Sequence, residues 1–459
     1  MFMSSHLIDS TIFAGQFGSE EMKRIFTDEN QIRQWLKVEV ALARAETKLG
    51  VIPVGVLDEI EKKAKVEHLD FSRLRDEIRV AGHPITPVIH AVRDLCDGDA
   101  GEYFHWGATT QDILDTGFIL QIREALTIVF RDLRAVEEIL LQLAKRHRDT
   151  IMVGRTHGQH ALPLTFGFKM AVCIRENRRN INRLKECGSR LFVGQLGGAV
   201  GTLASFEEKG LEIQRLVMEE LGLGVPDICW HAARDRTGEL GCILALTANT
   251  FGRIANELYL LQKTELMEVE EHFNFGKIGS STMPHKRNPK LCEAIISITK
   301  LIKGSALTTL ESMCIDHERD LKFRLVEWVT ISESLIMLSS VLDQAKCLLA
   351  NIDVKEKQML KNMDILKGLL LSEAIMLALG KKIGRQKAHE IVYRISMKAF
   401  EMGNDFKSAI LNDRDISEYF KESDVDEMLN PRKYLGLSGQ IVDEILTMTE
   451  KERAEDVFH

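Results

Sequence analysis

The chain has 459 residues, of which 45% are hydrophobic and 28% are charged, as in a globular protein with a large core rather than a disordered or fibrous one. Its net charge of -8 provides no overall basic field for a phosphate backbone, so we expect no nucleic-acid partner. No apolar run approaches the ~18 residues of a membrane span, and residues 1–10 lack the basic-then-apolar order of a secretory signal, so we expect a cytoplasmic protein with no membrane partner.

The spacing of proline predicts long helices. Proline breaks the interior of a helix, and the chain has only eight prolines. Between Ile122 and Leu143, apolar residues recur at alternating steps of four and three, which predicts a coiled-coil-like helix of about seven turns. Residues 240–269 carry apolar side chains on more than one face, which predicts a helix surrounded by others. We therefore predict an all-α fold, with residues 191–193 as the one short strand candidate.

At about 150 residues per domain, the length of the chain indicates about three segments. We predict an N-terminal helical domain over residues 1–112, a central bundle of long helices over 113–351 and a C-terminal helical domain over 352–459. Helices this long cover one another more easily in a bundle that is shared between subunits, so we expect a homo-oligomer.

The first of three polar loops spans Glu102–Asp112 and lies just ahead of the long helix. Thr109, Thr110 and Asp112 are residue types that cap helix N-termini, so helix capping alone would explain them. Alternatively, the threonine hydroxyls and the backbone N–H groups at the helix start form an anion site for a substrate carboxylate, with His105 beside it.

The second polar loop, Gly154–Pro163, concentrates hydrogen-bonding and titratable side chains between two helical stretches. A metal site from His157 and His160 is disfavoured, because the spacing is not HExxH and no carboxylate ligand is nearby. A histidine that shuttles a proton is the better interpretation, since its unperturbed pKa of about 6.5 suits general acid catalysis at neutral pH. The eight cysteines are scattered without a CxxC pair, which favours reduced thiols over a zinc site or a disulfide framework.

The third polar loop, Gly276–Pro289, combines glycines that supply hinge freedom with serines that are nucleophile or base candidates. Lys286, Arg287 and Asn288 supply anion ligands, although an exposed basic loop would have the same composition. The glutamates that precede this loop are interpreted as the solvated end of a helix: Glu268, Glu270 and Glu271.

In order and spacing, the three loops resemble those of the fumarase/aspartase superfamily, above all in the string GSSTMPHKRNP over residues 279–289. The resemblance covers nearly the whole chain and implies a bundle of long helices that forms the core of a homotetramer. It also implies active sites that collect the three loops from three subunits. Members remove a group from the carbon β to a carboxylate of a small dicarboxylate, commonly releasing fumarate, without a metal or an organic cofactor.

By motif position, Ser280 resembles the catalytic base and His157 the general acid. The resemblance implies these substrate-binding residues: Thr109, Thr110, Lys286, Asn288, Gln159 and His83. The residues that would support them are Ser281, His285 and His105. A solvent-facing loop would explain His83 equally well. The roles are chemically consistent, because taking a proton from carbon next to a carboxylate builds up negative charge that donors and a cation must stabilise. A serine becomes a usable base in a desolvated loop beside positive charge.

Two branches of the superfamily share further features with this chain. Segments that resemble 3-carboxy-cis,cis-muconate cycloisomerase include residues 17–30, 197–202 and 430–436. The Thr-His-Gly-x-His form of the second loop is shared with adenylosuccinate lyase, whose nucleotide phosphate is held by Arg, Tyr and Ser side chains. By ungapped placement, this chain has other residues at those positions: Gln16, Phe17, Arg324 and Trp328. Losing several charge-assisted contacts, at roughly 1.5 to 3 kcal/mol each, argues against purine nucleotide recognition.

Some bacterial cycloisomerases carry Trp where this chain has His157. An acid at this position favours elimination of a poor leaving group over the opening of a lactone, whose carboxylate leaves without help. We therefore expect a cofactor-independent lyase that acts by β-elimination on a substituted succinate, such as an N-substituted aspartate, and releases fumarate or a related unsaturated dicarboxylate. The alternatives are 3-carboxy-cis,cis-muconate cycloisomerase and adenylosuccinate lyase, and a catalytically silent scaffold is a hypothesis of another class.

Overall fold

The computed structural model describes residues 5–13, 15–273, 282–283 and 285–458. The first helices are α1 (Glu20–Ile25), α2 (Asp28–Lys48), α3 (Val54–Lys63), α4 (Phe71–Ala81) and α5 (Ile85–Leu95). The next are α6 (Thr110–Arg146), α7 (Phe166–Leu191), α8 (Gly210–Leu221), α9 (Asp235–Leu261), α10 (Lys290–Glu311) and α11 (Lys322–Ala350). The last are α12 (Glu356–Met363), α13 (Ser372–Ile383), α14 (Arg385–Met402), α15 (Phe406–Leu411), α16 (Arg414–Ser417), α17 (Glu422–Met428) and α18 (Ser438–Ala454).

Five long helices form a bundle, which confirms the predicted all-α fold. Helix α6 packs against α7 and α11, while α9 packs against α7, α10 and α11. The predicted apolar seam lies inside α6, where Leu126, Val129, Leu133 and Val136 are fully buried. With 37 residues, α6 is longer than the seven turns predicted, because its polar first turns are also buried.

Within the described part of the chain, α11 is long and apolar enough to cross a membrane, with a mean hydropathy of 1.5 over its most apolar stretch. In that stretch 67% of the residues are buried inside the protein. The helix packs against α6, α9 and α10, as a core helix of a bundle does.

The strand prediction was wrong. The structure forms an antiparallel hairpin from β1 (Ile151–Thr156) and β2 (Gln159–Thr165), and a smaller pair from β3 (Val269–Glu270) and β4 (Asp353–Val354). Residue 191 ends α7, and Val193 makes only a single bridge with Gly224. The second polar loop is therefore the outer part of a hairpin, whose turn is formed by His157 and Gly158.

The last part of the chain contributes to two cores. Residues of α13 to α17 form a small core of their own, which includes Ile375, Val392 and Phe406. Helix α18 instead returns to pack against α6 and α7, and its Val442 belongs to the main core. The domain boundaries at residues 112 and 351 stay predictions.

The bundle has two ends, which matter for the candidate site. At the Thr109 end, where α6, α9 and α11 begin, Arg234 of the segment before α9 bonds Asp115 and Glu327. At the hairpin end, where α6 and α9 finish, the hairpin lies beside β3. At a rise of 1.5 Å per residue, α6 alone separates the two ends by about 55 Å.

Candidate active site

Asp112 is the buried centre of the first loop. Its carboxylate is fully buried and accepts hydrogen bonds from the backbone N–H groups of Thr109 at 3.0 Å and of Gly197 and Gly198 at 2.9 Å each. His231 Nε2 donates to the same carboxylate at 3.0 Å. Asp112 therefore ties the start of α6 to the glycine segment after α7, which fixes the loop that carries the two threonines.

The contact with Asp112 changes the protonation of His231. Burial by itself disfavours the imidazolium, but hydrogen bonds and charges of Asp112 and Cys229 outweigh burial and raise the pKa of His231 to about 9. His231 is thus positively charged at neutral pH and forms a buried ion pair with Asp112. Helix capping explains part of the role of Asp112, and this ion pair explains the rest.

His83 lies against Thr110, one of the predicted substrate-binding residues. His83 Nδ1 accepts the backbone N–H of Thr86 at 3.2 Å, so the ring proton sits on Nε2, which donates to Thr110 Oγ1 at 2.8 Å. Burial, followed by the positive charges of Arg324 and His105, lowers the pKa of His83. A neutral His83 therefore orients the Thr110 hydroxyl.

His105 is held from behind by a carboxylate that the sequence analysis did not single out. Its Nδ1 lies 2.6 Å from Glu39 Oε1, and Glu39 is a buried residue of α2. Burial opposes the charged form, but the charge and hydrogen bond of Glu39 outweigh it and raise the pKa of His105. Glu39 is separated from His105 by 66 positions, so no local pattern could have joined them.

The tip of the hairpin presents His157 and Gln159 to the solvent. His157 and Gly158 have φ values of 52° and 75°, and the pair Thr156–Gln159 closes this two-residue turn. Turns of this kind match the twist of a hairpin but require left-handed backbone, which is uncommon for a histidine. The fold thus places the predicted general acid on an exposed tip, where a second surface can approach it.

A buried ion pair anchors this hairpin to the stem of the third loop. Arg155 bonds both oxygens of Glu268, at 2.9 and 2.6 Å, and Asn362 Nδ2 donates to the same carboxylate at 2.8 Å. Glu268 is fully buried, so its interpretation as part of a solvated helix end was wrong. Glu271 also has a structural contact, since its carboxylate accepts the N–H groups of Leu291 and Cys292 at the start of α10.

Glu268→Gln is expected to lower the free energy of unfolding by about 3 kcal/mol, because the substitution leaves the Arg155 charge buried without a carboxylate. Chemical denaturation at a fixed protein concentration measures this loss. Glu239→Gln is the matched control, since it breaks an ion pair with the exposed Arg190 and should change stability little. Equal effects of the two substitutions would contradict the anchoring role.

The third loop is described only in part, and Ser280 and Ser281 lie outside the described residues. His285 and Lys286 are exposed, and Asn288 is half-buried. Lys286 and Asn288 line a cavity of about 650 Å³ beside the end of α9. Arg287 instead pairs with Glu270 at 2.8 Å, so it is engaged within the loop stem.

A single chain does not bring together those predicted site residues that the structure describes. Those at the Thr109 end are His83, His105, Thr109 and Thr110, whereas those at the hairpin end are His157, Gln159, His285, Lys286 and Asn288. The length of α6 separates the two groups. One group offers hydroxyls and imidazoles for an anion, and the other offers an acid, a cation and an amide.

Comparison with known proteins identifies the class. The model of the Lyase family matches residues 15–304, and that of the adenylosuccinate lyase C-terminus matches residues 368–445. The chain therefore belongs to the Lyase family, in the fumarase/aspartase superfamily, and is an enzyme of that superfamily.

Three relatives show how closely the chain follows the family. It is 44% identical to N-acetyl-S-(2-succino)cysteine lyase of Dickeya dadantii, over 97% of this chain and 98% of that protein. It is 40% identical to adenylosuccinate lyase of Pyrococcus abyssi, over 98% and 99% of the two chains. The crystal structure of 3-carboxy-cis,cis-muconate lactonizing enzyme from Pseudomonas putida superposes with a TM-score of 0.89 at 32% identity, over 96% of this chain and 99% of that one.

Proposed function

We propose that this protein is a lyase that removes a thiol from an S-substituted succinate by β-elimination and releases fumarate. The observation that carries the proposal is the 44% identity, over nearly the full length of both chains, to a protein named N-acetyl-S-(2-succino)cysteine lyase. The substrate is a substituted succinate, as the sequence led us to expect. The substituent is attached through sulfur, whereas the N-substituted aspartate named in the sequence analysis is attached through nitrogen.

The residues of the three loops can supply the steps of this reaction. In our proposal, Ser280 takes a proton from the succinate carbon β to the leaving group, the C–S bond breaks, and a C=C bond forms. His157 gives a proton to the departing sulfur. Threonines 109 and 110 with Lys286 and Asn288 bind the two succinate carboxylates, where the negative charge develops. Each step needs only protein side chains, so we propose that no cofactor or metal takes part.

A complete site requires more than one chain in this proposal. The anion-binding threonines lie about 55 Å from the hairpin of the same chain, and His157 and Lys286 are exposed to the solvent. We therefore propose a homotetramer in which each site takes its three loops from different subunits. A cytoplasmic location also stays a prediction.

The proposed activity predicts that the purified protein releases fumarate from N-acetyl-S-(2-succino)cysteine. Ultraviolet absorbance measures this release. Adenylosuccinate, argininosuccinate and the carboxymuconate lactone serve as competing substrates in the same assay. We expect the highest kcat/KM for the thioether. Faster turnover of adenylosuccinate, or isomerisation of the lactone alone, would replace this proposal with the corresponding alternative.

A further inference from the structure

Two arginines at the Thr109 end have no carboxylate partner in the described part of the chain. Arg319 donates to Thr109 Oγ1 at 3.2 Å, and the Arg324 guanidinium lies 5.3 Å from the centre of the Trp328 ring. Their neighbour Arg234 is different, because it is buried between Asp115 and Glu327. Since folded proteins pair half-buried charges, two adjacent guanidinium groups without a counter-ion indicate that an anion is supplied from outside.

The geometry around Arg324 prepares it for such an anion. Trp328 supports one face of the guanidinium and stacks in turn on Trp35, with ring centres 6.4 Å apart. Arg324 Nε is buried and has no hydrogen-bond partner among the described residues. A guanidinium that packs over an indole ring can still bind both oxygens of a carboxylate.

The electrostatics agree with this geometry. Burial first, and then the positive charge of Arg319, lowers the pKa of Arg324, although Asp115 opposes these effects. Asp115 is itself engaged by Arg234 at 2.9 Å. The charge of Arg324 also reaches His83, which bonds Thr110. Arg324 therefore acts on the same space as the threonines that we place on the substrate.

We propose that Arg324 binds a carboxylate of the leaving group, and that the enzyme selects substituted succinates whose departing thiol carries its own carboxylate. This inference rests on the proposed function and adds the substrate class. The succinate carboxylates already have Thr109, Thr110, Lys286 and Asn288, so Arg324 is an additional cation. The Trp328 ring beside it offers apolar surface for the body of the leaving group.

The test compares two substrates that differ in one group: N-acetyl-S-(2-succino)cysteine and its cysteine amide, in which the leaving-group carboxylate is a neutral carboxamide. Fumarate release is measured for both compounds. In the unmodified enzyme we expect kcat/KM to be about 10- to 100-fold higher for the acid, the worth of one charge-assisted contact. Most of this difference should lie in KM.

Arg324→Gln should lower kcat/KM for the acid to the level of the amide and leave the amide almost unchanged. Arg324→Lys keeps a positive charge and should retain part of the preference. Arg236→Gln is the control, because Arg236 also lies over a tryptophan ring, 5.4 Å from that of Trp230, but its Nε donates to the backbone carbonyl of Arg190 at 2.9 Å. It should leave the ratio of the two substrates unchanged.

Each other result overturns the inference. Equal kcat/KM for the acid and the amide in the unmodified enzyme would show that no group of the enzyme binds the leaving-group carboxylate. An equal loss of kcat/KM for both substrates in Arg324→Gln would show that Arg324 binds the succinate half of the substrate or is needed for folding. Absence of fumarate from both compounds would overturn the proposed function itself, and this inference with it.

Discussion

Ser280→Ala and His157→Asn are each expected to lower kcat for fumarate release by about 10²- to 10⁴-fold, the usual contribution of a general base or acid. Ser280→Ala removes the hydroxyl that we propose takes the proton. His157→Asn removes the proton donor but keeps an amide that can maintain the turn at the hairpin tip. Steady-state kinetics measure the losses, and circular dichroism checks that both variants remain folded.

A mixture of these two inactive variants should regain activity after joint unfolding and refolding. If each site takes Ser280 and His157 from different subunits, random assembly from equal amounts leaves about a quarter of the sites with both residues intact. The separation of the loops by the length of α6 is the structural reason to expect such sharing. Each variant refolded alone is the control and should stay inactive.

Failure of the mixture to recover, with mixed assemblies demonstrated by two different affinity tags, would contradict shared sites. Full activity in Ser280→Ala would contradict the base. The two experiments test different claims. The single variants test the catalytic roles of Ser280 and His157, and the mixture tests whether the sites are shared between subunits.

The long helices could be predicted from the sequence because their patterns are local. Steps of four and three between Ile122 and Leu143 specify a buried seam whatever surrounds it, and those residues line the core of α6. The first turns of α6 lacked such a pattern. Their buried Asp112 and Asp115 are satisfied by His231 and Arg234, each 119 positions away, and a single sequence does not reveal such partners.

The hairpin was missed for a related reason. Each strand is only six or seven residues long, and the turn depends on left-handed backbone at His157. Histidine is not a residue type that indicates such a turn in a sequence. Glu268 looked solvated because its partner Arg155 lies 113 positions earlier.

The candidate site was predicted from motifs rather than from geometry. Motif position named residues on all three loops, and the structure adds what holds the described ones: Asp112 behind the threonines, Glu39 behind His105 and Glu268 behind the hairpin. One chain holds its loops at two ends of the bundle because α6 is long.

Asp112→Asn is expected to lower the free energy of unfolding by about 3 to 5 kcal/mol, the usual cost of removing one partner of a buried ion pair. The carboxylate accepts three backbone N–H groups as well as His231. An amide has one acceptor oxygen and no charge, so it leaves donors unsatisfied and the imidazolium unpaired. Asp443→Asn is the matched control, because Asp443 pairs with Arg148 at the surface and its loss should matter little.

The same ion pair predicts how stability depends on pH. His231 has its pKa raised from 6.5 to about 9 in the folded protein, so the native state binds a proton that the unfolded chain releases near pH 6.5. This stabilisation is fully present below pH 6.5 and is lost as the pH rises through 9, for a total of about 3 kcal/mol. Denaturation at fixed protein concentration between these pH values measures the decline. It should disappear in His231→Gln, and an unchanged slope in that variant would assign the pH dependence to another group.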